Sequence, residues 1–222
     1  LIIVVGVTDP EAAKSRRQSM ILVPTDTPGI KVKRNLPVFD HTSTNGFHPE
    51  LEFTDVRVPV TNLLGQQGAG FAMGQARLGP ARLHHCMRAI GAAEEALKLM
   101  IKRSTSRVAF GKPIASLGGN RDKIANARIA IEQARLLTLK AAYLMDTVGV
   151  FGAMSEISQI KVVAPNMAQQ IIDDAIQMHG GGGLSNDYPL TALYAYMRVL
   201  RLADGPDEVH RGLIAKLELK KY

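Results

Sequence analysis

Hydrophobic positions follow two patterns, with short apolar runs first and helical periodicity afterwards. Residues 1–6 and 19–24 are apolar runs rich in β-branched side chains, whereas residues 30–36 and 51–60 alternate apolar and polar positions. Both arrangements are typical of β-strands. The alternation within 51–60 shifts near Thr54, which predicts a bulge there.

From Phe71 almost to the end the spacing is helical. It predicts helices over 71–104, 121–148 and 155–179, arranged as a bundle of about four long helices with a shorter pair at the end. The helix over 121–148 has a seam of small and apolar residues at alternating spacings of three and four, which is typical of helix bundles. Its members are Ile124, Ala127, Ile131, Ala134, Thr138, Ala141 and Met145.

Glycines and prolines predict where these helices bend or end. Pro80 and Pro165 predict a kink or interruption, because proline removes a backbone hydrogen bond. Gly118 and Gly119 predict a hinge, and Gly180 predicts the end of the 155–179 helix. The inner face of that helix is predicted to hold Ile157, Ile160, Val163, Met167, Ile171, Ala175 and Met178.

The last part of the chain contains a carboxylate at a break between two helices. An apolar face over 190–200 predicts one helix, and Pro206 suits the first turn of the next. Asp204 lies between them, close to backbone N–H groups of the second helix. A carboxylate in this position can serve as a catalytic base or simply cap the helix, and the local sequence favours the cap.

Composition is that of a soluble globular protein, with 46% hydrophobic and 21% charged residues. No apolar run is long enough to span a bilayer, and the opening residues lack the features of a secretory signal. The chain starts at Leu1 in the middle of a pattern, so we expect further residues before it. Its single cysteine, Cys86, excludes an internal disulfide and is expected to be a small buried residue.

The net charge of +7 lies entirely after residue 62, because residues 1–62 contain equal numbers of acidic and basic residues. A basic helical region suits an anionic ligand such as a phosphorylated cofactor. Nucleic acid is not expected, since the basic residues are scattered and aromatic residues make up only 5% of the chain.

Two local clusters invite a functional interpretation. The glycines at 180–183 follow a helix and precede no Lys-Ser/Thr, so they match neither a P-loop nor a dinucleotide-binding motif. They either end a helix or let the backbone approach a ligand closely. His84, His85 and Cys86 are consecutive on a helix, so their side chains diverge; we expect no metal site, and the histidines are interpreted as packing or pocket-wall residues.

Three motifs resemble those of acyl-CoA dehydrogenases and occur in the same order. FTDVRVPVTNLLGQQGAGF (53–71) resembles the family's strand-to-helix passage, and SRVAFGKPI (106–114) resembles its R-x-x-F-G-K-x-L/I motif. Residues 177–183, with the Tyr-Pro at 188–189, resemble its Q-x-x-G-G-x-G…Y-P motif. RLGPARLHHCMR and RLADGPDEVHR are similar to the branch containing acyl-CoA dehydrogenase family members ten and eleven.

The resemblance implies an α+β, mainly α fold. Residues 1–66 would be the second half of the family's middle β-domain, and residues 67–222 would be its C-terminal four-helix bundle domain. The family's N-terminal helical domain and first β-strands would lie outside this chain.

The resemblance also implies a catalytic base and a substrate side. Asp204 matches the base, which is usually a glutamate, and the earlier position that serves as base in some relatives is Ala81, which cannot take a proton. Arg82 matches an active-site arginine, and Gly205 matches a residue on the substrate side.

FAD is the cofactor that the resemblance implies. Arg107 and Phe110 would reach the FAD of a neighbouring subunit, whereas Gln177, Gly180 and Gly181 would contact its adenosine side. Glu208 would lie on the flavin side. Leu117 and Gly118 replace a His-Gln pair of the family, which removes the basis for one FAD contact.

The implied reaction is the α,β-dehydrogenation of an acyl-CoA thioester, with the α-proton passing to Asp204 and the β-hydride to flavin N5. An electron-transferring flavoprotein would accept the electrons, and the enzyme would be a homodimer or homotetramer. Two alternatives stay open: an oxidase that passes electrons to O₂, and a flavin-free helical assembly module. The expected location is the cytoplasm in a bacterium, with mitochondria and peroxisomes open otherwise.

Overall fold

The computed structural model describes residues 1–37, 39 and 48–222. They form two compact units, Leu1–Arg77 and Leu78–Tyr222. The predicted domain boundary after residue 66 stays a prediction. The compact units divide further along the chain, within the first long helix.

The described part of the first unit contains five strands: β1 (Ile2–Val7), β2 (Gln18–Val23), β3 (Ile30–Asn35), β4 (Pro49–Phe53) and β5 (Leu63–Leu64). Antiparallel β1, β2 and β5 make one sheet in that order, and β3 pairs with β4 in a second. The strands predicted from the first three apolar patterns are therefore confirmed.

The strand predicted over 51–60 is wrong in its second half. β4 ends at Phe53, and two residues later Asp55 adopts a left-handed φ of 48°, which no regular strand accommodates. The predicted bulge near Thr54 is also wrong, because the shift in register between β3 and β4 lies between Val32 and Arg34.

The helices are α1 (Gly70–Ser106), α2 (Gly118–Gly152), α3 (Met154–His179), α4 (Leu190–Leu200) and α5 (Asp207–Leu219). A short hairpin, β6 (Val108–Ala109) and β7 (Lys112–Pro113), lies between α1 and α2. Three long helices, rather than about four, precede the shorter pair, because α1 continues through Pro80 without interruption.

Two further predictions about the helix ends need correction. Gly118 and Gly119 are the first residues of α2 and do not form a hinge. Non-helical geometry occurs instead near the other end of α2, where Gly149 has a φ of 76°. Gly180 ends α3 with a φ of 64°, as its position in the sequence predicts.

Buried apolar residues of α1, α2, α3 and α4 form the core of the second unit. The seam predicted for α2 is confirmed at its centre, where Ala127, Ile131, Ala134, Thr138 and Ala141 are buried. In α3, however, Val163 is 39% exposed, and Lys161 and Ala164 are buried in its place. None of the described helices combines the length and hydrophobicity that crossing a membrane requires.

Candidate functional site

The chain turns sharply between α4 and α5, in the segment 201–206 that we call the elbow. Asp204 and Gly205 have φ values of 56° and 106°, both in the left-handed region. Aspartate tolerates this region better than most residues, and glycine has no Cβ to hinder it. A Cβ on Gly205 would also lie 2.9 Å from Nε2 of His210. Asp204 and Gly205 therefore permit the sharp turn between α4 and α5.

The carboxylate of Asp204 is bound to His85, which lies on α1. His85 Nε2 and Asp204 Oδ2 are 2.7 Å apart, and the two side chains are only 17% and 24% exposed. This contact joins residues 119 positions apart in the chain. The carboxylate is thus held against a helix and does not extend freely into solvent.

His85 is in turn bound by Arg88, one helical turn further along α1. An Nη2 amino group of Arg88 lies 2.5 Å from His85 Nδ1. A guanidinium can only donate hydrogen bonds, so Nδ1 must be the acceptor and the ring proton must be on Nε2. His85 therefore donates from Nε2 to the Asp204 carboxylate.

Burial supports the neutral form of His85. Desolvation lowers the pKa of His85 below its ordinary value, and the positive charges of Arg88 and Lys161 lower it further. The hydrogen bond and charge of Asp204 raise the pKa, but they do not cancel the lowering. The net lowering keeps the imidazole neutral near physiological pH.

The backbone carbonyl of Asp204 is held as well. Arg82 donates from Nε to this oxygen at 3.0 Å, and His210 donates from Nε2 at 3.3 Å. Burial lowers the pKa of Arg82, although the charge of Asp204 raises it. Because this contact uses only Nε, the two terminal amino groups of Arg82 can bind an acceptor on a ligand.

Lys161 clamps the elbow from inside the bundle. Its side chain is fully buried, and Nζ donates to the carbonyl of Leu200 and, at 3.3 Å, to that of Gly205. Leu200 is the last residue of α4, and Gly205 directly follows Asp204. Burial lowers the pKa of Lys161, while Cys86, Asp207 and Asp204 raise it. One buried ammonium therefore fixes both ends of the turn.

The first residue of α5 is anchored by a second polar cluster. Oδ2 of the buried Asp207 accepts hydrogen bonds from Arg201 Nε and Asn166 Nδ2, each at 3.0 Å. Arg201 also donates to Gln169 at 3.0 Å. These bonds connect the start of α5 to α3 and to the elbow. Asp207 is the first residue of α5, so Pro206, predicted to lie in the first turn, lies one residue before the helix.

Among the residues implied by the resemblance, the structure brings Arg82 of α1 into contact with the elbow residue Asp204, which Gly205 directly follows. The others lie on different elements. Arg107 follows the end of α1, and Phe110, on the β6–β7 turn, is 93% exposed. Gln177 is exposed in the last turn of α3, and Gly180 and Gly181 follow directly after that helix. Glu208 is exposed in the first turn of α5.

Sequence reasoning missed four groups around Asp204: His85, Arg88, Lys161 and His210. A signal for two of them exists, because Arg82, His85 and Arg88 are spaced three apart and so share a face of α1. The interpretation of His85 as a packing or pocket-wall residue therefore omits its contact with Asp204.

The other members of the His84–Cys86 run differ from His85. His84 is exposed, whereas Cys86 is fully buried, and burial raises the pKa of its thiol to about 12. The prediction that Cys86 is a small buried residue is confirmed. Across residues 1–37, 39 and 48–222, no three His, Cys, Asp or Glu side chains are grouped to hold a metal ion.

Comparison with known proteins identifies close relatives. A probable acyl-CoA dehydrogenase, FadE2 of Mycobacterium tuberculosis, is 52% identical over 100% of this chain and 54% of its own length. Human acyl-CoA dehydrogenase family member 11 is 53% identical over 98% of this chain and 28% of its own length. A solved structure from Mycobacterium abscessus has a TM-score of 0.96 and 58% identity, covering 99% of this chain and 54% of that one.

This chain thus spans about half the length of the first relative and less of the second. Residues 68–219 match the protein-family model described as "Acyl-CoA dehydrogenase, C-terminal domain". The predicted α+β, mainly α fold class and the resemblance to family members ten and eleven are confirmed. The chain belongs to the acyl-CoA dehydrogenase family.

Proposed function

We propose that this chain is part of an FAD-dependent acyl-CoA dehydrogenase in which Asp204 is the catalytic base. The observation that carries the proposal is the position of Asp204 in the elbow, with its carboxylate bound by His85 and its carbonyl bound by Arg82. A carboxylate fixed in this way suits proton abstraction, which requires a base in a defined orientation.

The α-proton of an acyl-CoA thioester is only weakly acidic, so the base must be ionised and partly shielded from water. The side chain of Asp204 is only 24% exposed, so it is partly shielded from water. Because Oδ2 accepts the bond from His85, Oδ1 is the oxygen that takes the α-proton. FAD, when bound, supplies the acceptor for the hydride that leaves the β-carbon.

Arg82 and Gly205 are proposed to bind the substrate near this base. The terminal amino groups of Arg82 can donate to an oxygen of the acyl-CoA while its Nε keeps the elbow in place. Gly205 directly follows Asp204, so we place its backbone on the substrate side of the base.

The described residues fit an FAD site shared between subunits. Arg107 is exposed, as is the ring of Phe110, so both are accessible to a second subunit, and a guanidinium suits the FAD pyrophosphate. A Cβ built on Gly180 or Gly181 would meet nothing within 4 Å, which leaves the backbone there open to the adenosine side. Gln177 adjoins this loop, and Glu208 is proposed to lie on the flavin side. A site of this kind requires at least two subunits, and we propose a homodimer or homotetramer.

Replacement of Asp204 with Asn in the full-length protein tests the base. The amide oxygen still accepts the bond from His85, but the side chain cannot take a proton at neutral pH. Turnover of an acyl-CoA should fall by about 10²- to 10⁴-fold, the usual contribution of a positioned base, while FAD absorbance stays unchanged. Asp146→Asn, at an exposed aspartate of α2, is the matched control. Retained turnover in the Asp204 variant would refute the assignment.

Two measurements separate the alternatives. A purified full-length protein without a flavin absorption band would support an assembly module instead of an enzyme. Peroxide formation during turnover would identify an oxidase, whereas reduction of an electron-transferring flavoprotein supports the proposed dehydrogenase and its acceptor.

A further inference from the structure

We propose that His85 is a positioning residue that holds one oxygen of the Asp204 carboxylate, so that the other oxygen alone receives the substrate proton. This inference rests on the proposed function, because it assigns a role to a neighbour of the proposed base. His85 itself touches neither the substrate nor the cofactor in this scheme; it acts through Asp204.

A carboxylate that acts as a base must be oriented toward the proton that it removes. The terminal torsion of an aspartate is broad, so a free carboxylate rotates and presents either oxygen. The 2.7 Å bond from His85 Nε2 to Oδ2 removes that freedom. With the backbone carbonyl of Asp204 bound to Arg82 and His210, the residue is held at both its main chain and its side chain.

The hydrogen bond between His85 and Asp204 has a fixed direction. Arg88 donates to His85 Nδ1 and thereby fixes the proton on Nε2, where it faces the carboxylate. The guanidinium carbon of Arg88 lies 5.4 Å from the ring centroid of Tyr196 on α4, which helps to hold Arg88 in place. The chain Arg88–His85–Asp204 therefore has a single direction of donation.

A neutral hydrogen-bond donor suits a carboxylate that acts as a base. An imidazolium would stabilise the carboxylate through a charge-assisted bond and make it a weaker proton acceptor. A neutral imidazole orients the carboxylate with a smaller effect on its basicity. The charged groups that act on His85 are Asp204, Arg88 and Lys161, and together with burial they leave its pKa below the ordinary value.

Two substitutions at His85 separate positioning from simple packing. In His85→Gln the side-chain amide can donate to Asp204 and accept from Arg88, but it does not titrate. His85→Leu fills a similar volume and can make neither bond. His84→Leu, at the exposed neighbouring histidine, is the matched control.

The measurement is the rate of flavin reduction by a saturating acyl-CoA in a single turnover of the full-length enzyme, followed across pH. His85→Leu should slow this step by about 10- to 100-fold, because small misplacements of a catalytic group have effects of that size. Substrate affinity should change little, and the isotope effect of an α-deuterated substrate should rise. His85→Gln should restore most of the rate. Because glutamine does not titrate, the change of rate at acidic pH should no longer include the protonation of His85.

A wild-type rate in His85→Leu would overturn the inference, and so would a His85→Gln variant as slow as His85→Leu. Loss of activity in Asp204→Asn together with a normal His85→Leu rate would overturn this inference alone. Retained activity in Asp204→Asn would instead overturn the proposed base, whatever the His85 variants do.

A measurement without turnover tests the geometry directly. NMR of the ring nitrogens in histidine-labelled full-length protein, with His85→Gln to assign the signal, reports the protonation of His85. We expect a neutral ring protonated on Nε2 at neutral pH. A ring protonated on Nδ1, or on both nitrogens, would overturn the proposal.

Discussion

Replacement of Lys161 with methionine tests how the elbow is held. Methionine has nearly the same length and fills the same space, so the change leaves little cavity and mainly removes the ammonium. Two carbonyl oxygens, those of Leu200 and Gly205, lose their donor. The substitution therefore isolates the contribution of the clamp.

The expected magnitude follows from these two bonds. A hydrogen bond to a charged group contributes about 1.5–3 kcal/mol, and the 3.3 Å bond to Gly205 belongs at the weak end of that range. The loss is partly offset, because the buried ammonium is costly to desolvate, as the lowered pKa of Lys161 indicates. We expect the free energy of unfolding to fall by about 2–3 kcal/mol.

Urea unfolding of the full-length protein measures this change, and single-turnover flavin reduction measures its effect on the site. Lys102→Met, at an exposed lysine of α1, is the matched control and should change stability by less than about 0.5 kcal/mol. Flavin reduction should slow in Lys161→Met, because Gly205 directly follows the proposed base. An unchanged stability would refute the clamp, and a destabilised variant with a normal rate would show that it does not position Asp204.

Two further predictions concern the glycine run and pH. Gly183→Ala should lower the free energy of unfolding by about 1–3 kcal/mol, since its Cβ would lie 2.5 Å from the carbonyl oxygen of Ile176. Gly181→Ala should lower it much less, because a Cβ there would meet nothing within 4 Å. Thermal unfolding compares the two variants, and equal effects would contradict the close packing at Gly183. The folded-state pKa values of His85 and His210 are lowered by burial, so the unfolded chain binds more protons. The free energy of unfolding should therefore fall as pH drops below the ordinary histidine value of about 6.5, and urea titrations should show a smaller drop in a His85→Gln variant.

The position of Asp204 could be predicted because its signal is local. An apolar-periodic helix, a short Asp-Gly-Pro break and an acidic first turn are all visible within a few residues, and each has a physical reason to end or begin a helix. The same holds for α2, whose small and apolar residues repeat with the period of a bundle seam.

The surroundings of Asp204 could not be predicted in the same way, because they come from other helices. Lys161 interrupts an apolar pattern, and a lysine is almost never fully buried without a partner that only the fold supplies. His85 meets Asp204 across 119 positions of sequence. The strand predicted beyond Phe53 failed for a related reason, since alternation continues in the sequence while the backbone turns at Asp55.

The burial of Cys86 has a practical consequence for following the elbow in solution. A thiol with no exposed surface and a pKa raised to about 12 offers almost no thiolate to a maleimide or an iodoacetamide at neutral pH. Two fluorophores or spin labels can then be attached through a pair of cysteines introduced on the surface of this chain, with Cys86 left in place. Distances across the helices thereby become measurable in an otherwise unaltered core.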